Sequence, residues 1–464
     1  MSPRGWMNDP CAPGFNKTTG VFHVGFQWNP NDCVWGDMCW GSATSSDLVS
    51  WSVAPHPSIK ADAALGECGV FTGCLVPIDP SPESNHAIAA FYTSAQKLPI
   101  TYAGPYHRGS EKLYMITSTD NGLSWQRDCE SLILSEPPKQ LSVTGWRDPF
   151  VASWKSVDEL FGHHNDDFLY GVISGGLRGE TPTIFLYRIH KKTLNRWEEL
   201  GPMINIGLNF NPSRWTGDFG LNWEVVNFLT FSADAGQTKS FLIISAEGVN
   251  PAHTHPPGPS LLGQHMQKWM RGTLIRGDHG LQMRFEYGGT LDHGCFYAAN
   301  AFWDSNTQQY IAFGWIMEDD LPSHLVREQQ WSGALSIPRI IKMQTLQGVA
   351  GALVSDLDKL SSFEKKLGQS GTCIMSTLAC IPDPRLSALR QHKSSISPGQ
   401  LKPSSTQRLH LSGRQSAQWE LHAVFHVNTA ATSIGIEIAH SPGTFVPIRI
   451  ESIASRPELT SMDV

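Results

Sequence analysis

The amino-acid sequence predicts an all-β protein, and three observations support that fold class. Strand-like segments are short and separated by turn signals, whereas helical periodicity is scarce before residue 350. The chain of 464 residues contains 42 glycines and 30 prolines, the residues that most often interrupt regular structure. One strand–turn–tryptophan pattern also recurs along the chain. Together these features indicate a β-sandwich, a β-barrel or a β-propeller.

The predicted strands are rich in β-branched and aromatic residues, which suit a pleated, half-buried surface. They include residues 21–27, 88–92, 113–117, 168–173, 183–189, 241–245 and 310–315. The recurrent pattern joins such a strand to a Ser/Asp turn and then to a tryptophan that begins the next strand. It occurs at 42–51, at 116–125 and, in a shorter version, at 192–197. Recurrence of one hairpin type is typical of propeller blades, although such hairpins also recur by chance in other β proteins.

The character of the sequence changes after residue 350. Residues 356–366 read as a short charged helix or a linker, and from Trp419 onward apolar and polar residues alternate, as in strands with one buried face. We therefore predict a large β domain over 1–345, a linker over 346–366 and a smaller β domain over 367–464. A sandwich usually needs about seven strands, and few remain after the linker, so we expect the second domain to be incomplete.

The composition excludes several classes of function. The formal net charge of −7 and the absence of a basic stripe argue against nucleic-acid binding. No apolar run of about 18 residues predicts a membrane-spanning helix. The sequence has no phosphate-binding glycine loop and no zinc or calcium spacing, so we expect neither a cofactor nor a metal. The oligomeric state is left open by the sequence.

The cellular compartment is weakly indicated. Nine cysteines are an odd number, so at least one is unpaired within the chain, while Cys373 and Cys380 are close enough in sequence to close a small disulfide loop. One glycosylation sequon begins at Asn16, but the chain starts without an apolar signal region. We expect an extracellular location, with a cytoplasmic one as the alternative.

Two short motifs carry the clearest chemical signal. WMNDP (6–10) and WRDP (146–149) each place an aspartate close to a tryptophan and immediately before a proline. Proline fixes its own φ and disfavours helical geometry in the preceding residue, so both aspartates are expected on rigid, extended backbone. A carboxylate beside an aromatic face suits the cleavage of a sugar. Asp-Pro is also an ordinary turn dipeptide, present here at 79–80 and 383–384.

Hydrolysis of a glycosidic bond commonly requires two carboxyl groups, one of which must stay protonated. Besides Asp9 and Asp148, Glu224 is a candidate, because its Trp, Val and Phe neighbours suggest burial that favours the neutral form. The alternative is a strand-edge glutamate paired with an arginine. Arg147 is expected to favour the ionised form of Asp148 and to offer donors to sugar hydroxyls, or else to form a surface ion pair.

The order of the motifs resembles glycoside hydrolase family 32, which contains invertases, inulinases, levanases and fructosyltransferases. The resemblance rests on WMNDP, FQ (26–27), GVFTG (69–73), WRDP, WE (223–224) and WSG (331–333), in that order. It implies a five-bladed β-propeller followed by a β-sandwich. It also implies that Asp9 is the nucleophile, Glu224 the general acid/base and Asp148 the stabiliser of the transition state.

The resemblance further implies a substrate-binding set. Its members are Asn8, Gln27, Trp35, Phe71, Thr72, Arg147, Trp315 and, less directly, Glu318. The implied activity is retaining cleavage of terminal β-D-fructofuranosyl units from sucrose and short fructans, with a small carbohydrate as the partner. Two alternatives stay open: a fructosyltransferase that makes fructooligosaccharides from sucrose, and a non-catalytic sugar-binding propeller.

Overall fold

Sheet dominates the structure, as the sequence predicts. The computed structural model describes residues 4–76, 88–127, 130–163, 167–232, 238–253, 265–277, 280–292, 294–352 and 355–392, and the strand segments 424–426, 433–441, 444–451 and 461–463. Contacts divide the chain into two units, Met1–Ser387 and Ala388–Val464. Among the described residues, no helix is both long and apolar enough to cross a membrane.

The first unit consists of five sheets in which consecutive strands pair antiparallel. The first sheet contains β1 (Gly5–Asn16), β2 (Val21–Asn29), β3 (Cys39–Ser45) and β4 (Ser52–Val53). The second contains β5 (Gly69–Leu75), β6 (Ile88–Ala95), β7 (Glu111–Ser118) and β8 (Leu132–Leu134). The third contains β9 (Val143–Ala152), β10 (Phe168–Leu177), β11 (Thr181–His190) and β12 (Trp197–Pro202). The fourth contains β13 (Asn222–Ser232), β14 (Thr238–Glu247), β15 (His265–Gly277) and β16 (Gly280–Thr290).

The remaining strands of this unit complete two sheets. The fifth sheet begins with β17 (Phe296–Asp304) and β18 (Gln309–Ile316). The chain then returns to the first sheet with β19 (Trp331–Ser332), and the fifth is completed by β20 (Ala334–Leu335), β21 (Arg339–Val349), β22 (Glu364–Leu367) and β23 (Cys373–Pro382). The described connections contain α1 (Lys155–Phe161), α2 (Ser323–Gln329) and 3-10 turns at Ala63–Leu65, Pro251–His253, Leu357–Lys359 and Pro384–His392.

The five sheets are the blades of a propeller. Their first strands, β1, β5, β9, β13 and β17, pack against one another in turn, and β17 packs against β1, so these strands form a closed ring. Large apolar side chains fill the spaces within and between the blades, which is what the strand composition predicts. Fully buried tryptophans lie at positions 28, 40, 146, 154 and 223. The prediction of an all-β fold with a five-bladed propeller is confirmed.

The ring is closed by a segment from late in the chain. Trp331 and Ser332 of β19 pair in parallel with Gly5 and Trp6 of β1. Gly333 follows at a φ of +81°, and a Cβ at this position would lie 2.0 Å from the backbone oxygen of Met7. Only glycine therefore fits where the closing segment crosses the start of β1.

The recurrent hairpin has one structural position. Trp51, Trp125 and Trp197 follow the third strands of blades 1, 2 and 3; the first two precede the fourth strand, and Trp197 is its first residue. In the first two copies a serine hydroxyl caps the turn: Ser45 accepts the N–H of Leu48 at 2.8 Å, and Ser118 accepts that of Gly122 at 2.8 Å. The interpretation of this pattern as a blade repeat is confirmed.

The boundary between the two units lies later than the predicted one. The predicted linker, 346–366, contains the end of β21 and most of β22, and both pair with β23 in the fifth blade. The contact boundary follows Ser387, because these three strands complete a blade. The suggested disulfide loop is wrong: Cys373 and Cys380 lie along one strand and both are free thiols.

The described part of the second unit is also β-structure. It contains β24 (Val424–His426), β25 (Ser433–Ser441), β26 (Thr444–Glu451) and β27 (Ser461–Asp463). β24 pairs with β27, and β25 pairs with β26, in both cases antiparallel. The predicted alternating segments around residues 434–438 and 445–450 lie within β25 and β26. Most of the rest of the predicted second domain lies outside the described residues.

Candidate active site

Each inner strand of the propeller is interrupted by a β-bulge, in which two residues oppose one on the neighbouring strand. The bulged pairs are 8–9, 71–72, 148–149, 225–226 and 298–299. Asp148, Val225 and Ala298 occupy left-handed backbone conformations, with φ of 59°, 44° and 51°. This conformation costs a residue with a Cβ roughly 1–2 kcal/mol. Backbone strain of this kind collects at functional sites.

The residues before these three left-handed positions contact one another across three successive blades. Arg147 donates to Glu224 Oε1 from Nε at 3.0 Å and from Nη2 at 2.8 Å. The hydroxyl of Tyr297 donates to the other oxygen, Oε2, at 2.9 Å. Repetition of the bulge therefore places a guanidinium, a carboxylate and a phenol side by side, with Glu224 in the middle.

Asp9 lies on the bulge of β1 and is held by neutral donors. Its Oδ2 accepts the hydroxyl of Thr72 at 2.5 Å and the side-chain N–H of Gln27 at 3.2 Å. Its Oδ1 accepts Asn8 Nδ2 at 3.2 Å. Gln27 also donates to Thr72 Oγ1 at 2.6 Å, which fixes the direction of that hydroxyl. Both oxygens of Asp9 are thus oriented without a directly paired cation.

Aromatic side chains flank Asp9. Trp6 Nε1 donates to Asn8 Oδ1 at 3.0 Å, and the Trp6 ring meets Trp315 edge to face at a centroid distance of 5.7 Å. Trp35 contacts Phe71 in the same manner at 5.9 Å, and 44% of Trp35 is exposed. The exposed indole of Trp35 is of the kind that offers an apolar face to the C–H groups of a sugar ring.

Asp148 is buried and is held by backbone contacts. Its N–H donates to Thr93 Oγ1 at 2.8 Å, and its Oδ2 accepts the N–H of Val225 at 3.3 Å. The nearest guanidinium nitrogen, Arg147 Nε, is 3.9 Å from Oδ2. The left-handed backbone turns the Asp148 side chain away from that of its neighbour, so Arg147 makes its short bonds elsewhere.

Arg147 is surrounded by two further carboxylates. Nη1 lies 3.2 Å from Glu111 Oε1, and Nη2 lies 2.9 Å from Glu247 Oε2. Glu247 Oε2 also accepts Asn222 Nδ2 at 2.7 Å. Only 5% of the Arg147 side chain is exposed. One buried guanidinium therefore compensates the carboxylates of Glu111, Glu224 and Glu247, with Asp148 at the edge of the cluster.

This excess of buried negative charge sets the protonation of the site. Burial and the charge of Glu224 raise the pKa of Asp9 to about 7, while hydrogen bonds from Thr72 and Asn8 oppose the rise. Burial also raises the pKa of Asp148 well above its usual range, against the effect of Arg147. For Glu247, burial and Glu224 raise the pKa to about 8.

Glu224 behaves in the opposite way. Burial alone would raise its pKa, but the charges of Arg147 and His265 and the hydrogen bonds from Arg147 and Tyr297 lower it overall. These opposite shifts favour protons on the aspartates and Glu247 over a proton on Glu224. Both tendencies expected from the sequence are present, since burial favours the neutral form of Glu224 and Arg147 favours the ionised form of Asp148, but each is outweighed. Arg147 pairs closely with Glu224, on the next blade, and so lowers the pKa of Glu224, whereas burial dominates at Asp148.

The family assignment agrees with this architecture. The family described as "Glycosyl hydrolases family 32 N-terminal domain" matches residues 1–354. The chain belongs to glycoside hydrolase family 32. The match covers the whole ring of inner strands and hence every residue of the site.

Curated relatives of this family-32 chain include plant enzymes. The acid beta-fructofuranosidase of Vigna radiata is 26% identical over 357 residues, which are 74% of this chain and 47% of that protein. The vacuolar acid beta-fructofuranosidase 4 of Arabidopsis thaliana is 26% identical over 356 residues, with 74% and 46% covered. The chain thus spans about half the length of these relatives.

Solved structures share the fold. The beta-fructofuranosidase of Aspergillus kawachii, complexed with glycerol, superposes with a TM-score of 0.73 at 24% identity, covering 94% of this chain and 68% of that one. The fructosyltransferase of A. japonicus superposes with a TM-score of 0.73 at 23% identity, covering 95% and 71%. At these identities the likeness establishes the architecture.

Most residues predicted for the family-32 site come together in the structure. Asn8, Gln27 and Thr72 contact Asp9, and Arg147 contacts Glu224. The remaining members lie as follows: Trp315 against Trp6, Trp35 against Phe71, and Glu318 beside Gly333. Glu318 Oε2 accepts the Gly333 N–H at 2.8 Å, so that oxygen stabilises the closing segment. Substrate contacts of all these residues stay predictions.

Four residues of the site were missed by sequence reasoning. Glu111 and Glu247 complete the shell of Arg147, Tyr297 bonds Glu224, and His265 packs edge to face on Tyr297 at 5.1 Å. None of them belongs to a recognisable local motif. The available signal was position: Glu111 shares the face of its strand with the buried Leu113, and a carboxylate on a buried face needs a partner.

Proposed function

We propose that this chain is a retaining glycoside hydrolase that releases terminal β-D-fructofuranosyl units from sucrose and short fructans through a covalent fructosyl-enzyme. The proposal is carried by Asp9, Asp148 and Glu224, which lie at bulges of three inner strands of one propeller and are held by different partners. Membership of family 32 and relatives named beta-fructofuranosidase support the same activity.

In the first step, Asp9 attacks the anomeric C2 of the fructofuranosyl unit. The bond between C2 and the bridging oxygen breaks, and Glu224 transfers its proton to that oxygen, so the departing sugar leaves neutral. In the second step, Glu224 takes a proton from water, and the water oxygen displaces Asp9 from C2. Two displacements at one carbon retain its configuration.

This chemistry requires ionised aspartates and a protonated Glu224, opposite to the distribution that the pKa shifts favour. Substrate hydroxyls that donate to Asp9 and Asp148 favour the ionised forms and lower both pKa values. The new charge on the aspartates in turn favours a proton on Glu224. Substrate binding therefore moves a proton within the cluster from an aspartate to the acid/base. Since one proton must remain in the site, kcat/KM is expected to fall as pH rises above neutrality.

Asp148 stabilises positive charge on the fructosyl ring. Its carboxylate is buried, and electrostatic interactions in such surroundings are stronger than in water. The indoles of Trp6 and Trp35 are suited to contact the apolar edge of the ring. The site thus combines a nucleophile, a proton donor and a buried anion, with no metal required for any step.

Incubation with sucrose tests the activity. Equal release of glucose and fructose supports hydrolysis, whereas a glucose excess with a new trisaccharide indicates a fructosyltransferase. Retention predicts that NMR detects the β-anomer of fructose first, and initial release of the α-anomer excludes the mechanism. If the wild type binds sucrose but does not cleave it, the result supports the alternative of a non-catalytic sugar-binding propeller.

Asp9→Asn and Glu224→Gln test the residue roles. Each is expected to lower kcat by about 10³-fold or more, because each removes one of the two reacting groups. The matched control is Asp383→Asn, which changes another buried aspartate before a proline, ion-paired with Arg385 at 2.7 Å. Wild-type turnover in Asp9→Asn or Glu224→Gln would refute the assignment.

A further inference from the structure

Glu111 is a buried carboxylate that the proposed chemistry does not use. It is the first residue of β7, on blade 2, and its side chain is 0% exposed. Oε2 accepts the backbone N–H of Trp146 at 2.8 Å, and Oε1 lies 3.2 Å from Arg147 Nη1. The carboxylate therefore binds two residues of β9, on the neighbouring blade, and these two residues directly precede Asp148.

An ionised carboxylate at this position is costly for the fold. Burying a charge is unfavourable unless hydrogen bonds and an opposite charge compensate it. An apolar residue would suit the strand, since Leu113 points to the same side and is buried. The compensation at Glu111 is directed at one partner, because its charged contact is Arg147. This suggests that the carboxylate acts on the guanidinium.

The geometry of a guanidinium explains how Glu111 can act on Arg147. The group is planar, and its donors point in fixed directions. With Nη1 held by Glu111, rotation of the plane is restricted, and the opposite edge, Nε and Nη2, is presented to Glu224 at 3.0 and 2.8 Å. The Trp146 N–H bond locks Glu111 itself to the backbone that carries Arg147.

We propose that Glu111 is a positioning residue of the active site, which holds the Arg147 guanidinium in the orientation that binds and aims Glu224. The inference rests on the proposed function, in which Glu224 exchanges the proton. Glu111 does not touch the reacting atoms. It acts through Arg147, and its absence leaves Nη1 without this partner, so the guanidinium is free to turn about the contacts that Nη2 makes with Glu224 and Glu247.

The charge of Glu111 also acts on the rest of the cluster. The charged and titratable groups around Glu111 come from several elements: Arg147 and Asp148 from β9, Glu224 from β13, Glu247 from β14 and Tyr106 from the loop before β7. Burial and the charge of Glu111 raise the pKa of the Tyr106 phenol. The negative charge of Glu111 contributes to the raised pKa values of Asp148 and Glu247. Removal of this charge lowers both pKa values, so the acidic limb of the kcat/KM profile moves to lower pH.

Glu111→Gln tests the proposal, because glutamine keeps the shape and removes the charge. The matched control is Glu67→Gln. Glu67 is another buried carboxylate near blade 2, ion-paired with Arg127 at 2.8 Å and bonded by Tyr92, outside the Arg147 cluster. Initial rates of sucrose hydrolysis are measured from pH 3 to 8, together with thermal unfolding of each variant.

We expect Glu111→Gln to lower kcat about 10- to 100-fold with little change in KM, and to move the acidic limb down by about half a pH unit or more. Glu67→Gln is expected to unfold at lower temperature with wild-type kcat and pH profile. If Glu111→Gln behaves like Glu67→Gln, the role is only structural and the proposal is overturned. If glutamine prevents folding, Glu111→Asp replaces it, with a partial loss of kcat expected and a wild-type kcat contradicting the proposal.

A crystal structure of Glu111→Gln separates this inference from the proposed function. The Arg147 Nη2 to Glu224 Oε1 contact of 2.8 Å is expected to lengthen or break, whatever the wild-type enzyme does with sucrose. An unchanged contact overturns the positioning role. A wild type that turns over no sucrose refutes the proposed function instead, and the structural comparison still decides the role of Glu111.

Discussion

The two sides of the candidate site hold their carboxylates by opposite means. On blades 1 and 2, Asp9 is held by the neutral donors of Thr72, Gln27 and Asn8. On blades 3 and 4, Glu224 is held by the guanidinium of Arg147. Neutral donors orient an oxygen without cancelling its charge, whereas a guanidinium orients the oxygen and also compensates its charge. The Asp9 side therefore leaves the charge of the ionised carboxylate uncompensated, and the Glu224 side holds its carboxylate in a fixed geometry.

The largest effect is expected when the charged side loses its cation. Arg147→Met leaves several buried carboxylates without compensation and is expected to destabilise the protein by about 3–5 kcal/mol at pH 7. The loss should be smaller at pH 4, where the carboxylates bind protons. Urea unfolding at both pH values measures this. Arg188→Met, which removes a partner of the exposed Glu198, should cost less than about 1 kcal/mol, and equal losses in the two variants would contradict the comparison.

On the neutral side, Thr72→Val removes the shortest bond to Asp9. The hydrogen bond from Thr72 lowers the pKa of Asp9, so its loss should raise that pKa and move the acidic limb of kcat/KM to higher pH. We expect a 10- to 100-fold loss in kcat/KM, about 1.4–2.7 kcal/mol. Thr72→Ser should restore most activity. Thr183→Val, which removes bonds to the backbone of Ile204, should leave the pH profile unchanged, and a shifted profile there would show that the effect is nonspecific.

Asp9→Asn should stabilise the fold while abolishing activity. The folded-state pKa of Asp9, about 7, lies above the ordinary aspartate value of 3.8, so between these values the folded state binds more protons than the unfolded state. Stability from this group is therefore lost as pH rises from about 4 to about 7. Asparagine removes that loss. We therefore expect the free energy of unfolding to rise by about 1–2 kcal/mol at pH 7, a value discounted for the partial exposure of Asp9. Almost no rise is expected at pH 4. An equal gain at both pH values would contradict the charge explanation.

The smallest effect is expected at the second donor to Glu224. Tyr297→Phe removes the bond to Oε2 but leaves both bonds from Arg147, so kcat should fall less than about tenfold, equivalent to about 1 kcal/mol. The pKa of Glu224 should rise because the phenol lowers it, and the alkaline limb of kcat should move to higher pH. Tyr310→Phe, whose hydroxyl bonds the backbone of Thr230, is the control. A loss as large as that of Thr72→Val would remove the distinction between the two sides.

The fold and the three carboxylates were predictable because each has a local signature. The strands carry β-branched and aromatic runs, the hairpin turns repeat around Trp51 and Trp125, and Asp9 and Asp148 precede prolines. The blade boundary was not predictable. Glu364–Leu367 looks like a charged linker in sequence, and it becomes a strand only because Cys373–Pro382 lies beside it.

The protonation states could not be predicted, because they depend on contacts between blades. In sequence, Arg147 adjoins Asp148; in space its short bonds reach Glu224, Glu247 and Glu111. A left-handed φ at Asp148 separates sequence neighbours in a way that composition does not reveal. Glu111 and Glu247 were missed for the same reason, since an acidic residue on a strand resembles an ordinary solvated one until its partner is located.

The pairing of β19 with β1 has a consequence for synthesis on the ribosome. The strand that carries Asp9 is translated long before Trp331 and Ser332, the residues that pair with its inner edge. A nascent chain therefore holds Asp9 on an unfinished sheet until β19 has been translated. Pairings so distant in sequence form late. The order of translation thus delays assembly of the active site until the ring can close.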